Sequence, residues 1–87
     1  MLRITTLNHS PTVTLRLEGK LTGPWVEELR AVCRDAAQQA APPRLDLHAV
    51  SFIDNSGLTC LRELLEQGAH IAACSSFVSE LLHVEKP

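Results

Sequence analysis

The feature that most constrains the fold is an exchange between two hydrophobic periods along the chain. Some segments favour a period of two, which is typical of half-buried strands, whereas others repeat apolar residues every three or four positions, as one-sided helices do. The segments with strand character are residues 2–7, 12–18, 44–48 and 69–74. The segments with helix character are residues 24–40, 57–67 and 76–82. The predicted order is therefore β-β-α-β-α-β-α.

This order predicts a single α/β domain spanning residues 1–87. The first two strands are separated only by the turn cluster at residues 8–11, which favours an antiparallel hairpin. The later strands are separated by helices, which implies parallel pairing through right-handed crossovers. We expect a mixed, mostly parallel four-stranded sheet with its helices packed on one face.

Helix boundaries follow from capping residues. Pro24 suits the start of the first helix, with Glu27 and Glu28 expected in its first turn and Pro42-Pro43 as its terminator. Gly68 is the expected C-terminal cap of the second helix, and Ser75 or Ser76 caps the third. Each helix is expected to bury one apolar face. In the first helix this face consists of Val26, Leu29, Cys33, Ala36, Ala37 and Ala40, in the second of Leu58, Leu61, Leu64 and Leu65, and in the third of Phe77, Val78, Leu81 and Leu82.

Composition excludes several classes of function. The net charge is −2, which argues against binding nucleic acid through phosphate neutralisation, and three aromatic residues cannot form a stacking platform. No apolar run is long enough to span a membrane, and the N-terminal residues lack the apolar core of a secretion signal. We therefore expect a cytoplasmic protein.

The reactive side chains form no recognisable catalytic or metal-binding pattern. The cysteines Cys33, Cys60 and Cys74 are widely spaced, and we expect them to be reduced, buried and inert. The four histidines lack metal-ligand spacing, and no glycine-rich phosphate loop is present. The sequence thus predicts no enzyme activity, no catalytic residue, no metal and no cofactor.

One segment is more informative than the topology. Residues 50–58 read V-S-F-I-D-N-S-G-L, follow a strand reading L-D-L and open a leucine-rich helix. Upstream, L-E-G-K-L-T at residues 17–22 marks a strand-to-helix junction, and Gly68-Ala69 and residues 75–82 flank the last strand. From Val13 to Leu82 the chain resembles the STAS domain, named for sulfate transporters and anti-sigma-factor antagonists.

The resemblance implies a small bacterial regulatory protein that binds a partner and has no catalytic activity. The partner is commonly an anti-sigma factor with serine-kinase activity, which docks on the motif loop and the start of the following helix. Many relatives are switched by phosphorylation of the first serine after the aspartate. Carried onto this chain, the implied partner-binding residues are Asp54, Asn55, Ser56, Gly57, Leu58 and Arg62.

The chain departs from that pattern at the acceptor position, which is occupied by Asn55. An amide cannot accept a phosphoryl group, so we expect no phosphoserine switch there. Ser56 matches the second serine and is expected to cap the helix that follows. Asp54 has two compatible interpretations, a carboxylate that positions the docking loop and a helix cap. A second role in keeping with a permanently unphosphorylated loop is that of an accessory subunit in a membrane lipid-transport ABC system.

Two further features leave their interpretation open at this stage. Trp25 at the start of the first helix is either an exposed contact residue or packed against the sheet. The fourth strand, Ala69 to Cys74, is expected at a sheet edge and has no charged residue or proline to guard it. That edge predicts either a homodimer or the addition of a partner strand.

Overall fold

The computed structural model of the chain describes residues 1–9, 12–39 and 42–82. Its elements follow the predicted order and alternate between strands and helices after the first hairpin. The strands are β1 (Leu2–His9), β2 (Thr12–Leu21), β3 (Arg44–Ile53) and β4 (His70–Cys74). The helices are α1 (Gly23–Gln39), α2 (Asn55–Glu66) and α3 (Ser76–Leu82).

The sheet has the predicted mixed topology. Its strand order is β1-β2-β3-β4, with β1 antiparallel to β2 and the remaining pairs parallel. The strand β4 therefore lies at an edge of the described sheet, as expected from the sequence. Successive helices contact one another, α1 with α2 and α2 with α3, and each also contacts the strands, so they form one layer over the sheet.

Strand β2 shows how the sequence separates the two faces of the sheet. Leu15 and Leu17 are fully buried beneath the helices, whereas Arg16 between them is exposed on the opposite face. There the Arg16 Nε lies 3.5 Å from the Asp46 Oδ2 of β3, a partly exposed cross-strand ion pair. The core is accordingly aliphatic, and among the described residues no charged or polar side chain is buried.

Strand β3 is longer than the sequence indicated, since the predicted strand covers only residues 44–48 and β3 extends to Ile53. The pairing with β2 shifts register twice in this region, so β3 carries extra residues relative to its neighbour. Its buried side chains consequently recur every third position, at Leu47, Val50 and Ile53. That spacing conceals the period-two pattern by which a strand is recognised.

Several expected helix details were wrong. The helix α1 begins at Gly23, so Glu27 and Glu28 lie beyond its first turn. Ala37 is exposed, Ala40 lies outside the described residues, and Phe77 at the start of α3 is 44 % exposed. The expected cap Ser75 is confirmed, since its Oγ accepts a hydrogen bond from the Val78 N–H at 3.3 Å.

The remaining expectations for the helices mostly held. Gly68 follows α2 with a φ of +105°, a conformation that suits glycine at a helix C-terminus. Trp25 is half-buried and packs against the core, which favours the packing interpretation. The three cysteines are free and buried.

Gly57 sets how closely α2 approaches the strands. A Cβ atom at this position would lie 2.6 Å from the Leu21 carbonyl oxygen and 2.9 Å from the Leu21 Cγ. It would also lie 3.1 Å from the Ile53 Cγ2. Because backbone cannot move aside as a flexible side chain can, only glycine allows the first turn of α2 to rest on the ends of β2 and β3.

We expect Gly57→Ala to destabilise the fold by about 1–3 kcal/mol, the usual cost of overpacking. Gly23→Ala is the matched control, since Gly23 also lies in the first turn of a helix and its nearest neighbour would be 3.9 Å from an added Cβ. Thermal unfolding followed by circular dichroism should show a melting temperature lower by about 4–8 °C per kcal/mol for Gly57→Ala only. Equal melting temperatures for both variants would show that the close approach is not needed.

Candidate functional site

The motif predicted from the sequence lies where β2 and β3 both end. These strands are parallel, so their carboxyl ends meet at one edge of the sheet, and each chain segment then turns into a helix. The N-termini of α1 and α2 consequently lie beside each other. In open α/β sheets this edge is where binding sites commonly form.

The side chain of Asp54 joins the two helix N-termini. Its Oδ1 accepts a hydrogen bond from the Gly57 N–H at 2.7 Å, and its Oδ2 accepts one from the Gly23 N–H at 2.9 Å. Its own backbone N–H donates to the Leu21 carbonyl oxygen at 3.1 Å. We call this arrangement the Asp54 clamp: it consists of Asp54, Gly23, Gly57 and Leu21.

The clamp is a favourable electrostatic arrangement. Helix N-termini expose unpaired N–H groups and the positive end of the helix dipole, and one carboxylate compensates both helices here. Hydrogen bonds to an ionised oxygen are also stronger than neutral ones. Asp54 is therefore the N-cap of α2, which confirms one of its two interpretations. The expectation that Ser56 caps this helix was wrong, because Ser56 is already the second helical residue.

The remaining motif residues divide by exposure. Gly57 is buried and Leu58 is half-buried against the core, so both support α2 from beneath. Asn55 and Ser56 are exposed at the tip of the helix, and Thr59 is exposed one turn further on. The structure thus separates the predicted set into a structural part and an outward-facing part.

Asn55, Ser56 and Thr59 form one wall of an open depression between the two helices, with a volume of about 440 Å³. Its other wall, from α1, consists of Gly23, Val26, Glu27 and Arg30. The site residues predicted from the sequence do not include Thr59, Glu27 or Arg30. Thr59 could have been found from helical spacing, since it lies four residues after Asn55, but the pairing of α1 with α2 has no local signal.

Arg30 forms a second connection between the helices. Its Nη1 lies 2.6 Å from the Glu63 Oε2 of α2, and its Nε lies 3.7 Å from the Glu27 Oε1 one turn earlier. The hydrogen bond and the charge of Arg30 lower the pKa of Glu63 below its ordinary 4.5. The ion pair is thus present above that value and is lost as the pH falls through the lowered pKa.

Arg62, the last predicted contact residue, is exposed on α2. Its Nη2 donates to the Leu81 carbonyl oxygen of α3 at 3.4 Å, a long hydrogen bond. Arg62 therefore lies on the α3 side of α2, whereas the depression lies on the α1 side. The structure does not bring it together with Asn55 and Ser56 in one cavity.

The pKa values of two thiols, those of Cys33 and Cys60, are raised. Burial, with a smaller contribution from the neighbouring Cys60, raises the pKa of Cys33 to about 12. Burial also raises the pKa of Cys60, although the charge of Arg30 opposes this effect. A thiol becomes a nucleophile when its pKa is lowered, and the pKa values of Cys33 and Cys60 shift in the opposite direction.

Residues 1–9, 12–39 and 42–82 contain neither a metal-binding cluster nor a membrane-spanning helix. No group of three or more histidine, cysteine, aspartate or glutamate side chains is placed to hold a metal ion. No helix in these ranges has both the length and the apolar character needed to cross a membrane.

The clamp predicts a graded response to substitution of Asp54. Asp54→Ala removes both acceptors and should destabilise the protein by about 1–3 kcal/mol. Asp54→Asn keeps one oxygen for Gly57 but directs an NH₂ group at the Gly23 N–H, so we expect an intermediate loss. Urea unfolding measures the loss, and the backbone amide resonance of Gly23 should shift more than that of Gly57 in Asp54→Asn. An Asp54→Ala protein as stable as the original would contradict the clamp.

Comparison with known proteins places this geometry in a family. The STAS domain family matches residues 3–83 of the chain. A comparison with curated proteins found no match.

Among solved structures, the chain is similar to an uncharacterized protein of the DUF3478 family with a SpoIIAA-like fold, from Shewanella loihica PV-4. The TM-score is 0.59 at 13 % sequence identity, and the alignment covers 77 % of this chain and 57 % of that chain. This chain therefore spans little more than half the length of that protein, and the likeness concerns the fold alone. With a family match over residues 3–83 and the predicted four-stranded mixed sheet beneath a single layer of helices, the chain belongs to the STAS domain family.

Proposed function

We propose that this STAS domain is a non-catalytic docking module that binds a partner protein through the exposed N-terminal face of α2. The observation that carries the proposal is the division within the motif: Asp54 and Gly57 are held inward, whereas Asn55, Ser56 and Thr59 are exposed. Because this chain resembles anti-sigma-factor antagonists, the proposed partner is an anti-sigma factor or a serine-kinase-like regulator in the bacterial cytoplasm.

The attachment of α2 to α1 supports the proposal. The Asp54 clamp and the Arg30–Glu63 ion pair attach α2 to α1 at two points, one at the N-terminus and one nearly two turns later. A surface that is already ordered loses less conformational entropy on binding than a flexible loop does. A recognition helix fixed in this way therefore suits binding through shape and polar contacts.

Asn55 determines how the module is regulated. It occupies the first position of α2, where the helix dipole would accommodate the charge of a phosphate group without disturbing the fold. A phosphate there would instead act on the partner through its charge of about −1.5 to −2. Because the Asn55 amide cannot be phosphorylated, we propose that the docking face remains in its unphosphorylated form.

The substitution Asn55→Asp tests the docking face by introducing part of the missing charge. We expect it to weaken partner binding by about 1–3 kcal/mol, since an unpaired charge at an interface is costly to desolvate. The melting temperature should change little because Asn55 is exposed. The partner is first identified by affinity capture from the native cells, and its affinity is then measured by titration calorimetry with purified proteins.

Asn8→Asp is the matched control, because it makes the same chemical change at another exposed position. Asn8 pairs with Val13 near the start of β2, at the end of the sheet remote from the clamp. Equal loss of affinity in both variants, or none in Asn55→Asp, would contradict docking on α2. Capture of an ABC-transporter complex in place of a soluble regulator would support the accessory-subunit role.

The absence of a phosphate switch has its own test. Intact-mass analysis and peptide mapping of the protein from its native cells should find no phosphate on residues 54–58. Ser56 is the only hydroxyl in that segment and, as an exposed side chain, it is the position to monitor. Stoichiometric phosphorylation of Ser56 would show that the switch has moved by one residue and is still in use.

A further inference from the structure

A second cavity, with a volume of about 360 Å³, lies at the end of the domain where β3 and β4 begin, whereas the Asp54 clamp lies where β3 ends. It is bounded by the C-terminal half of α1, by the end of α2 and by the segments that lead into β3 and β4. Its volume is at the lower end of the range of small-molecule sites. It shares only Arg30 with the depression between the helix N-termini, so it is a separate candidate site.

Helical spacing on α1 places two kinds of side chain along the wall of this cavity. Cys33 and Ala37 are four residues apart and therefore form one row on the helix surface. Arg30, Arg34 and Gln38 have the same spacing and form a neighbouring row. The first row is small and leaves space beside the helix, while the second row supplies long polar side chains to the same space.

The floor of the cavity, which we define as Pro43, Leu64 and Ala69, is apolar and buried. Backbone hydrogen bonds fix its shape: the Ala69 N–H donates to the Leu64 carbonyl oxygen at 3.0 Å, and the His70 N–H donates to the Pro43 carbonyl oxygen at 3.2 Å. A site with ordered walls loses less conformational entropy when a ligand binds. A hydrocarbon group placed against this floor would be removed from water, which is favourable.

The polar side chains that line the cavity are two arginines and two glutamines, with no carboxylate among them. Arg30 already has a partner, since its Nη1 lies 2.6 Å from the Glu63 Oε2. Arg34 is exposed one turn later and forms no ion pair or hydrogen bond with any of residues 1–9, 12–39 and 42–82. One positive charge therefore lies uncompensated beside an apolar floor.

We propose that the second cavity binds a small amphipathic carboxylate, with its carboxylate at Arg34 and its hydrocarbon tail against the floor. The planar guanidinium of arginine offers paired donors that match the two oxygens of a carboxylate. A single negative charge also matches the single uncompensated arginine. A phosphate monoester would bring a second charge for which Arg30, already paired with Glu63, has no equivalent to offer. The inference does not depend on docking through α2.

Octanoate is the test ligand, because it carries one carboxylate on a short hydrocarbon chain. Titrated into the full chain labelled with ¹⁵N, it should produce saturable shifts in the backbone amide resonances of residues 33–38 and 67–69. Acetate lacks the tail and octanol lacks the charge, so each should have a dissociation constant higher by about tenfold or more. Octyl phosphate at about pH 8, where it carries two charges, should also bind more weakly than octanoate.

Arg34→Gln tests the position of the carboxylate. It removes the uncompensated charge and should raise the dissociation constant of octanoate by about tenfold or more. Arg3→Gln is the matched control, since it removes the same charge from an exposed position on β1, at the opposite edge of the sheet from β4. It should leave the affinity unchanged. Both side chains are exposed, so neither substitution should move the melting temperature appreciably.

Ala37→Leu tests the position of the tail by extending a side chain into the cavity, and it should weaken octanoate binding several-fold. Ala31→Leu makes the same change at an exposed position of α1 that does not line the cavity, and it should have no effect. Four outcomes overturn the proposal: no saturable shifts at millimolar octanoate, acetate or octanol binding as tightly as octanoate, tighter binding of octyl phosphate, or equal affinities within either pair of variants.

Discussion

The fold around the N-termini of α1 and α2 depends on one carboxylate. Asp54 stands at the point where β3 ends, and its two oxygens reach the first turns of both α1 and α2. Each helix contributes N–H groups that have no partner within the helix, so the same negative charge satisfies donors from two elements. The position of Asp54 is in turn set by β2, through the hydrogen bond from its N–H to Leu21. Asp54 thus connects β2 with the N-termini of α1 and α2.

The packing next to the clamp explains why the motif has its particular spacing. Gly57 is the third residue of α2, and its missing side chain lets the helix rest directly on the Leu21 carbonyl. A capping residue three positions earlier then reaches the Gly57 N–H with its side chain. Asp54 and Gly57 at this separation form one structural unit. The two residues between them, Asn55 and Ser56, are exposed.

The sequence predicted the element order, the sheet topology and the loop that carries the site, because these follow from hydrophobic periods and a local motif. It failed where tertiary contacts overrode local pattern. The predicted strand stops short of the end of β3 because the buried residues there recur every third position. Ser56 is a plausible cap by sequence because serine and aspartate are comparable N-cap residues, and only the position where α2 begins distinguishes them. Arg30 was missed because its partner, Glu63, lies 33 positions away.

The clamp also bears on the order in which the protein becomes competent. The hydrogen bond between Asp54 and Gly23 links residues 31 positions apart, and it forms only once β3 has docked beside β2 with α1 packed across them. Such a contact closes a long loop, so its entropy cost is met by the surrounding parallel pairing and not by local structure. A growing chain would thus acquire the N-terminus of α2 in its final form only after the β2-α1-β3 crossover is complete. The clamp in this sense marks a domain whose parallel sheet is already assembled.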